Sequence, residues 1–271
     1  MDGGNVRASL IQLSVSDAEP VSERRARAVA LIRAQEASDL VILPELWPLG
    51  AFADAAAWSA GAEPLDGPTA DAMSTAARAA GVWLHAGSIV ERDPDGPIYN
   101  TSLLFSPAGD LVRTYRKIHR FGFDSGEAVT MGAGQEIVTA ASDFGVLGLA
   151  TCYDLRFPEL FRALLDAGAE LLVVPASWPE RRREHWTLLA RARAVEEQAY
   201  VLACNAAGTH GGVEQAGHSL VVDPWGRVLA EAGAGEQVLT VDFDPAEVAK
   251  ARAEFPVHRD RLLGIPAPVQ R

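Results

Sequence analysis

Residues 146–176 read VLGLATCYDLRFPELFRALLDAGAELLVVPA. Val146–Cys152 is an apolar run of strand length. A helical stretch follows over Pro158–Ala167, opening on Pro and closing on Gly168, the residues helices favour at their two ends. Leu171–Ala176 is a second apolar run, continuous rather than alternating, as suits a strand covered by other layers. Strand, helix and strand in so short a span point to an α/β chain.

The same reading extends outward. Val6–Val15, Leu40–Leu46, Val82–Val90, Ser102–Phe105, Tyr200–Asn205, Ser219–Val222 and Val238–Val241 are strand candidates. Val21–Glu36, Pro68–Ala80, Glu184–Gln198 and Pro245–Phe255 are helix candidates. The order predicts a mixed sheet system with helices outside it. The strand-dense stretch 82–150 is too long for a simple doubly wound fold, and DPDGP at 93–97 marks a hairpin tip. No composition break interrupts the chain, so 1–271 reads as one domain.

Hydrophobic residues make up 48% and charged residues 22%, a globular rather than a disordered balance. The net charge of −12 disfavours nucleic acid as a partner. No apolar run reaches membrane-spanning length, and the N-terminal stretch lacks the pattern of a secretory signal, so the expected location is the cytoplasm. Of 24 basic residues only Lys117 and Lys250 are lysine. Lysine alone supplies a compact ammonium, so these two positions draw notice.

Several chemistries lack their signatures. There is no GxSxG, HExxH or EF-hand loop, and the pairs Gly132/Gly134 and Gly233/Gly235 lack the third glycine of a dinucleotide loop. Two cysteines, Cys152 and Cys204, make neither a disulfide framework nor a zinc site of CxxC pairs. Cysteine chemistry remains.

Cys152 ends a strand just ahead of a helix, the sheet edge where ligands gather in α/β folds. A helix terminus and nearby cations would lower its thiol pKa. The alternative is a small core residue. Glu45, in LVILPEL at 40–46, follows an apolar run, where desolvation would raise a carboxyl pKa into the range of a general base. The alternative is a strand-end carboxylate in water. Lys117 lies in LVRTYRKIHRF at 111–121, where alternation groups it with Tyr115 and His119. It is either a buried ammonium able to hold an oxyanion or an exposed edge-strand lysine.

Together, Glu45 in LPELW, Lys117 in YRKIHRFGF and Cys152 in TCYDLRFPEL resemble the Glu–Lys–Cys triad of the nitrilase superfamily, the carbon–nitrogen hydrolases. The separations are 117 − 45 = 72 and 152 − 117 = 35. The resemblance continues through PASWP from Pro175, HWTLLARARAVEEQAYVLACNAAG from His185 and HSLVVDPWGRVLAE from His218. It implies a four-layer α-β-β-α sandwich and a homodimer or larger homo-oligomer. It also implies a second glutamate between the lysine and the cysteine, which Glu127 matches better than Glu136, since Glu136 opens a predicted strand.

The roles implied are Cys152 as nucleophile, Glu45 as general base, and Lys117 with the Tyr153 backbone N–H as oxyanion holders. Glu127 supports Lys117. No metal or organic cofactor is required. The substrate is a small-molecule amide cleaved through a thioester, and Tyr153–Asp154 after the nucleophile is most similar to the omega-amidase and deaminated-glutathione amidase branch. N-carbamoyl amidohydrolases, nitrilases, an acyltransferase and a non-catalytic binding scaffold are the alternatives. Arg156 is a candidate for binding a substrate carboxylate or for an ion pair with Glu159 or Glu197. Trp178 and His185 are candidates for lining the pocket.

Overall fold

Side-chain alternation along the strands decides how the layers stack. The structure, a computed structural model, describes residues 4–264, so the ends of the expected 1–271 domain lie outside the described residues. The first half lays down β1 (Val6–Gln12), β2 (Leu40–Ile42), β3 (Trp83–Arg92), β4 (Ile98–Phe105) and β5 (Leu111–Arg116). The second half adds β6 (Thr139–Ser142), β7 (Gly145–Leu149), β8 (Leu171–Ala176) and β9 (Tyr200–Asn205). The short ribbon β10 (Thr209–His210) and β11 (Val213–Glu214) follows, then β12 (Leu220–Val222) and β13 (Val228–Glu231). Finally β14 (Gln237–Phe243) returns to pair antiparallel with β1, Val6 opposite Phe243.

Two six-stranded sheets result, in the orders β14-β1-β2-β3-β4-β5 and β13-β12-β9-β8-β7-β6. Each has a parallel centre, β1–β2–β3 and β7–β8–β9, between antiparallel rims. The helices are α1 (Val21–Arg33), α2 (Ala55–Gly61), α3 (Pro68–Ala80), α4 (Glu127–Thr130), α5 (Pro158–Asp166), α6 (Arg183–Glu197) and α7 (Glu247–Glu254).

In β8, Leu171 and Val173 face the other sheet, while Leu172 and Val174 meet Phe161 of α5 and Trp186 of α6. In β1, Ala8 and Leu10 face the second sheet, while Ile11 joins Ile32 of α1 and Met73 of α3. The layers therefore run helix, sheet, sheet, helix, the expected α-β-β-α sandwich.

The punctuation of the sequence is realised. Pro158 opens α5, and Asp93–Pro97 joins β3 to β4 with Arg92 opposite Ile98. Lys117 continues the alternation of β5 just past its last residue, buried like Tyr115 and with its N–H donating to the Asn100 carbonyl at 2.9 Å. One local expectation changes, where chemistry concentrates. Cys152 does not lead straight into an α-helix, because a 3₁₀ turn over Cys152–Arg156 comes first.

Gly87 explains how the end of β2 is held. A Cβ at this residue, whose φ is +64°, would lie 1.9 Å from the Pro44 carbonyl oxygen. Only glycine lets β3 press that closely against Pro44. The bulge between His85 and Ser88 then lets the Ser88 hydroxyl accept the Leu46 N–H at 2.9 Å, bracketing Glu45.

Cys204 is fully buried between the sheets, its thiol directed at the Ile11 and Ile42 carbonyls at 3.4 and 3.3 Å. Cys204→Ala should cost about 1–2 kcal/mol of stability in chemical denaturation and leave turnover intact. Loss of turnover in a folded variant would place this thiol in the chemistry instead.

Candidate active site

Lys117 is enclosed, with a side-chain exposure of 1%. Its Nζ donates to Glu45 Oε1 and Glu127 Oε2, each at 2.7 Å. The Asn100 amide spans the same two carboxylates, 2.9 Å to Glu45 Oε1 and 2.6 Å to Glu127 Oε1. The remaining Glu45 oxygen accepts the Ser177 N–H at 2.9 Å, and Glu127 Oε2 also accepts the Phe121 N–H at 3.0 Å. All four carboxylate oxygens thus have donors, as burial of this much charge requires.

These groups arrive from separate elements. Glu45 follows the end of β2, Asn100 lies within β4, Lys117 follows β5 and Ser177 follows β8. Glu127 opens the single turn α4.

Burial works against the Lys117 ammonium, yet Glu127 and then Glu45 outweigh it and hold Lys117 well above the ordinary lysine value. Burial also raises the Glu127 carboxyl, with Lys117 pulling the other way. Burial and then Glu45 push the Cys152 thiol well above its usual value, against the pull of Lys117. The expected lowering of that thiol by a helix terminus and a cation is therefore reversed. The resting site holds a thiol beside a carboxylate, an arrangement that requires a base.

Cys152 has φ +47°, a strained conformation for a side chain-bearing residue. Asp154 holds that strained turn. Fully buried, it accepts the Thr151 N–H at 2.9 Å, the Tyr115 hydroxyl at 2.7 Å and the His119 N–H at 3.0 Å, with His119 Nδ1 at 2.7 Å. One carboxylate thus ties the cysteine turn to the Tyr115 side chain and the His119 backbone, on either side of Lys117. Tyr153 occupies the first turn of the 3₁₀ helix, whose leading N–H groups have no partner within it.

Glu45, Lys117, Glu127 and Cys152 all line one cavity, together with Tyr153, Arg156 and Trp178. Arg156 forms neither expected ion pair. Glu197 pairs with Arg162 instead, at 3.0 Å, and the Arg156 guanidinium lies 4.8 Å from the centre of the Trp178 ring. Trp178 is both wall and packing, buried against Trp186. His185 does not line the cavity. It sits exposed in the first turn of α6, its Nδ1 3.2 Å from Arg156 Nη2, so it meets that arginine rather than the cavity. Glu136 lies outside the cavity as well.

Sequence reasoning missed Asn100, Ser177, Asp154, Phe121 and Arg182. A polar Asn inside the apolar strand IYNTSLLF was a usable signal for the first. Among the described residues, no three His, Cys, Asp or Glu side chains converge in a way that could hold a metal ion.

Residues 7–253 match the family described as carbon-nitrogen hydrolase. The chain is 40% identical over 271 residues to the 2-oxoglutaramate amidase of Paenarthrobacter nicotinovorans, an alignment covering 97% of this chain and 91% of that one. It is 36% identical over 253 residues to the 2-oxoglutaramate amidase of Bacillus subtilis, covering 93% and 96%. A solved CN-hydrolase superfamily protein from Xanthomonas campestris superposes with a TM-score of 0.88 at 33% identity, covering 97% of this chain and 100% of that one.

Lys117→Arg should be nearly as damaging as Lys117→Ala, each lowering kcat by ~100-fold or more, because a planar guanidinium does not fit a point-charge site closed by two carboxylates. Lys117→Ala should also lower the melting temperature, since it strands two buried carboxylates. A Lys117→Arg variant with a near-normal rate would show that positive charge alone suffices.

Proposed function

Because the chain belongs to the carbon–nitrogen hydrolase family, it is a hydrolase of non-peptide amide C–N bonds, and we propose that its substrate is a small acid amide. Such a substrate carries the amide at one end and a carboxylate at the other, and yields ammonia and a diacid. The observation that carries this reading is the pairing of a buried thiol and carboxylate at the cavity floor with Arg156 on its wall. The similarity to two 2-oxoglutaramate amidases supports it. The cavity has about 30 Å³ of free volume.

In this reading Cys152 passes its proton to Glu45 as its sulfur attacks the amide carbon and forms a C–S bond. The Lys117 ammonium and the Tyr153 N–H hold the oxyanion. Glu45 gives the proton to the nitrogen, the C–N bond breaks, and ammonia leaves a thioester behind. Glu45 next takes a proton from water as the water oxygen attacks the thioester carbon. The C–S bond breaks and the proton returns to sulfur. Glu127 keeps Lys117 charged and aimed, and Arg156 receives the far carboxylate.

The proposal takes 1–271 as one catalytic domain and the working form as a homo-oligomer. It places the enzyme in the cytoplasm, whose reducing conditions preserve a nucleophilic thiol. No described helix is long and apolar enough to cross a membrane.

Ammonia release across a panel of small amides tests the reading. Acid amides should exceed neutral amides, N-carbamoyl amino acids and nitriles in kcat/KM. Chelators should leave the rate unchanged, and Cys152→Ala or thiol alkylation should abolish it. Faster turnover of nitriles or N-carbamoyl compounds would move the enzyme to another branch, and diversion of product to an added amine would make it an acyltransferase.

A further inference from the structure

The charge balance of the chain makes two cavity arginines unusual. Acidic residues outnumber basic ones by 36 to 24, and most buried or half-buried arginines have a carboxylate. Arg24 and Arg27 share Glu19, Arg116 takes Glu91, Arg162 takes Glu197 and Arg193 takes Glu196. Half-buried Arg120 and Arg252 bond backbone carbonyls instead; among the described residues, Arg156 and Arg182 have neither a carboxylate nor a carbonyl partner, and both line the active-site cavity.

They stand on different elements. Arg156 belongs to the cysteine turn and lies over Trp178, whereas Arg182 precedes α6 and lies 5.3 Å from the centre of the Phe121 ring. Phe121 is the residue whose N–H holds Glu127, so its backbone serves the reacting end and its ring carries Arg182. The carboxylates deeper in the cavity cannot answer these cations, since Lys117, Asn100, Ser177 and Phe121 already occupy their oxygens. Burial and the like charges of Arg181 and Arg156 lower Arg182 from its ordinary value, the environment of a guanidinium without its anion.

We propose that Arg182 is a specificity-determining residue. With Arg156 it forms a two-guanidinium receptor that takes the distal carboxylate of an acid amide and rejects the α-ammonium of an amino-acid amide. This rests on the acid-amide reading above. Both guanidinium groups line the cavity from separate elements, and planar forks of this kind suit the oxygens of one carboxylate or of a 2-oxo acid. An ammonium on the carbon beside that carboxylate meets two positive charges with no acceptor to offset them, so rejection is part of the recognition. The side chain can be altered without unpinning Trp178, because the Trp178 indole N–H is received at 2.8 Å by the Arg182 backbone carbonyl.

The test compares three five-carbon amides differing at one end: glutaramate, neutral pentanamide and glutamine. In Arg182→Gln, kcat/KM for glutaramate should fall by ~10- to 100-fold, mostly through KM, as expected for loss of a charged hydrogen bond made equally in ground and transition states. Pentanamide should change by less than about 3-fold and the glutaramate-to-glutamine preference should narrow, by the same reasoning. Arg182→Lys should restore part of the loss. Equal losses for glutaramate and pentanamide would mean a merely structural residue, and an unchanged glutaramate value would mean that Arg156 suffices; either overturns the proposal. If the wild-type enzyme itself fails to prefer glutaramate over pentanamide, the acid-amide reading falls, and this inference with it. A wild-type preference that Arg182→Gln retains removes only the role of Arg182.

Discussion

The structure turns on one buried ammonium shared by two buried carboxylates. A lone lysine or glutamate in such a place would discharge, but the three together, bridged by the Asn100 amide, hold a net negative charge that the surrounding N–H groups of Ser177 and Phe121 can support. This constraint sets the surrounding architecture. Glu45 has to leave the end of β2 at a fixed angle, so Gly87 lets β3 close on Pro44 and Ser88 holds Leu46. Lys117 has to turn inward past the end of β5, so Asp154 grips Tyr115 and His119 on either side of it. The same Asp154 holds the strained turn of Cys152, and so links the cation and the thiol through a single carboxylate.

The thiol shows why the carboxylates matter beyond packing. Burial and the Glu45 charge keep the proton on sulfur at rest. The same carboxylate that opposes a free thiolate is the acceptor able to take its proton when an amide arrives. In the mechanism proposed above, once that proton moves the negative charge lies on sulfur, beside Lys117, and Glu45 is neutral and ready to protonate a leaving nitrogen. Glu127 accepts from the ammonium at 2.7 Å and fixes its direction.

Much of this was legible in the sequence, for physical reasons that also mark where legibility ended. Pro158 with Gly168 and Pro68 with Gly81 bounded helices correctly, because those residues act locally. The continuous apolar runs identified central strands, because both their faces are covered. Taken singly, Glu45, Lys117 and Cys152 each kept a structural alternative; the resemblance to the Glu–Lys–Cys triad set them together, and one cavity brings them together. Asn100 and Ser177 carry no charge and meet Glu45 from 55 and 132 residues away, a proximity that only the folded sheets create. Alternation placed Lys117 with Tyr115, but both faces of that strand mix polar and apolar residues, so only the folded sheets reveal that this face is the buried one. In the run Arg181–Arg182–Arg183, periodicity could not say which arginine faces the cavity, and His185 was drawn to the site by closeness in sequence rather than in space. The lowered thiol pKa expected from the helix terminus failed because burial and Glu45 dominate over both cation and dipole.

In the proposed mechanism Glu45, and not Glu127, takes the proton of Cys152. The most direct measurement is the rate of alkylation of Cys152 by a small haloacetamide as a function of pH, followed by peptide-resolved mass in wild type, Glu45→Gln and Glu127→Gln. Wild type and Glu127→Gln should react at neutral pH with little further gain as pH rises, because a carboxylate is at hand. Glu45→Gln should react slowly at neutral pH and quicken by roughly tenfold per pH unit, as a buried thiol must then lose its proton to solvent. A Glu45→Gln variant that alkylates as fast as wild type at neutral pH, or a Glu127→Gln variant that shows this loss in its place, would contradict the assignment.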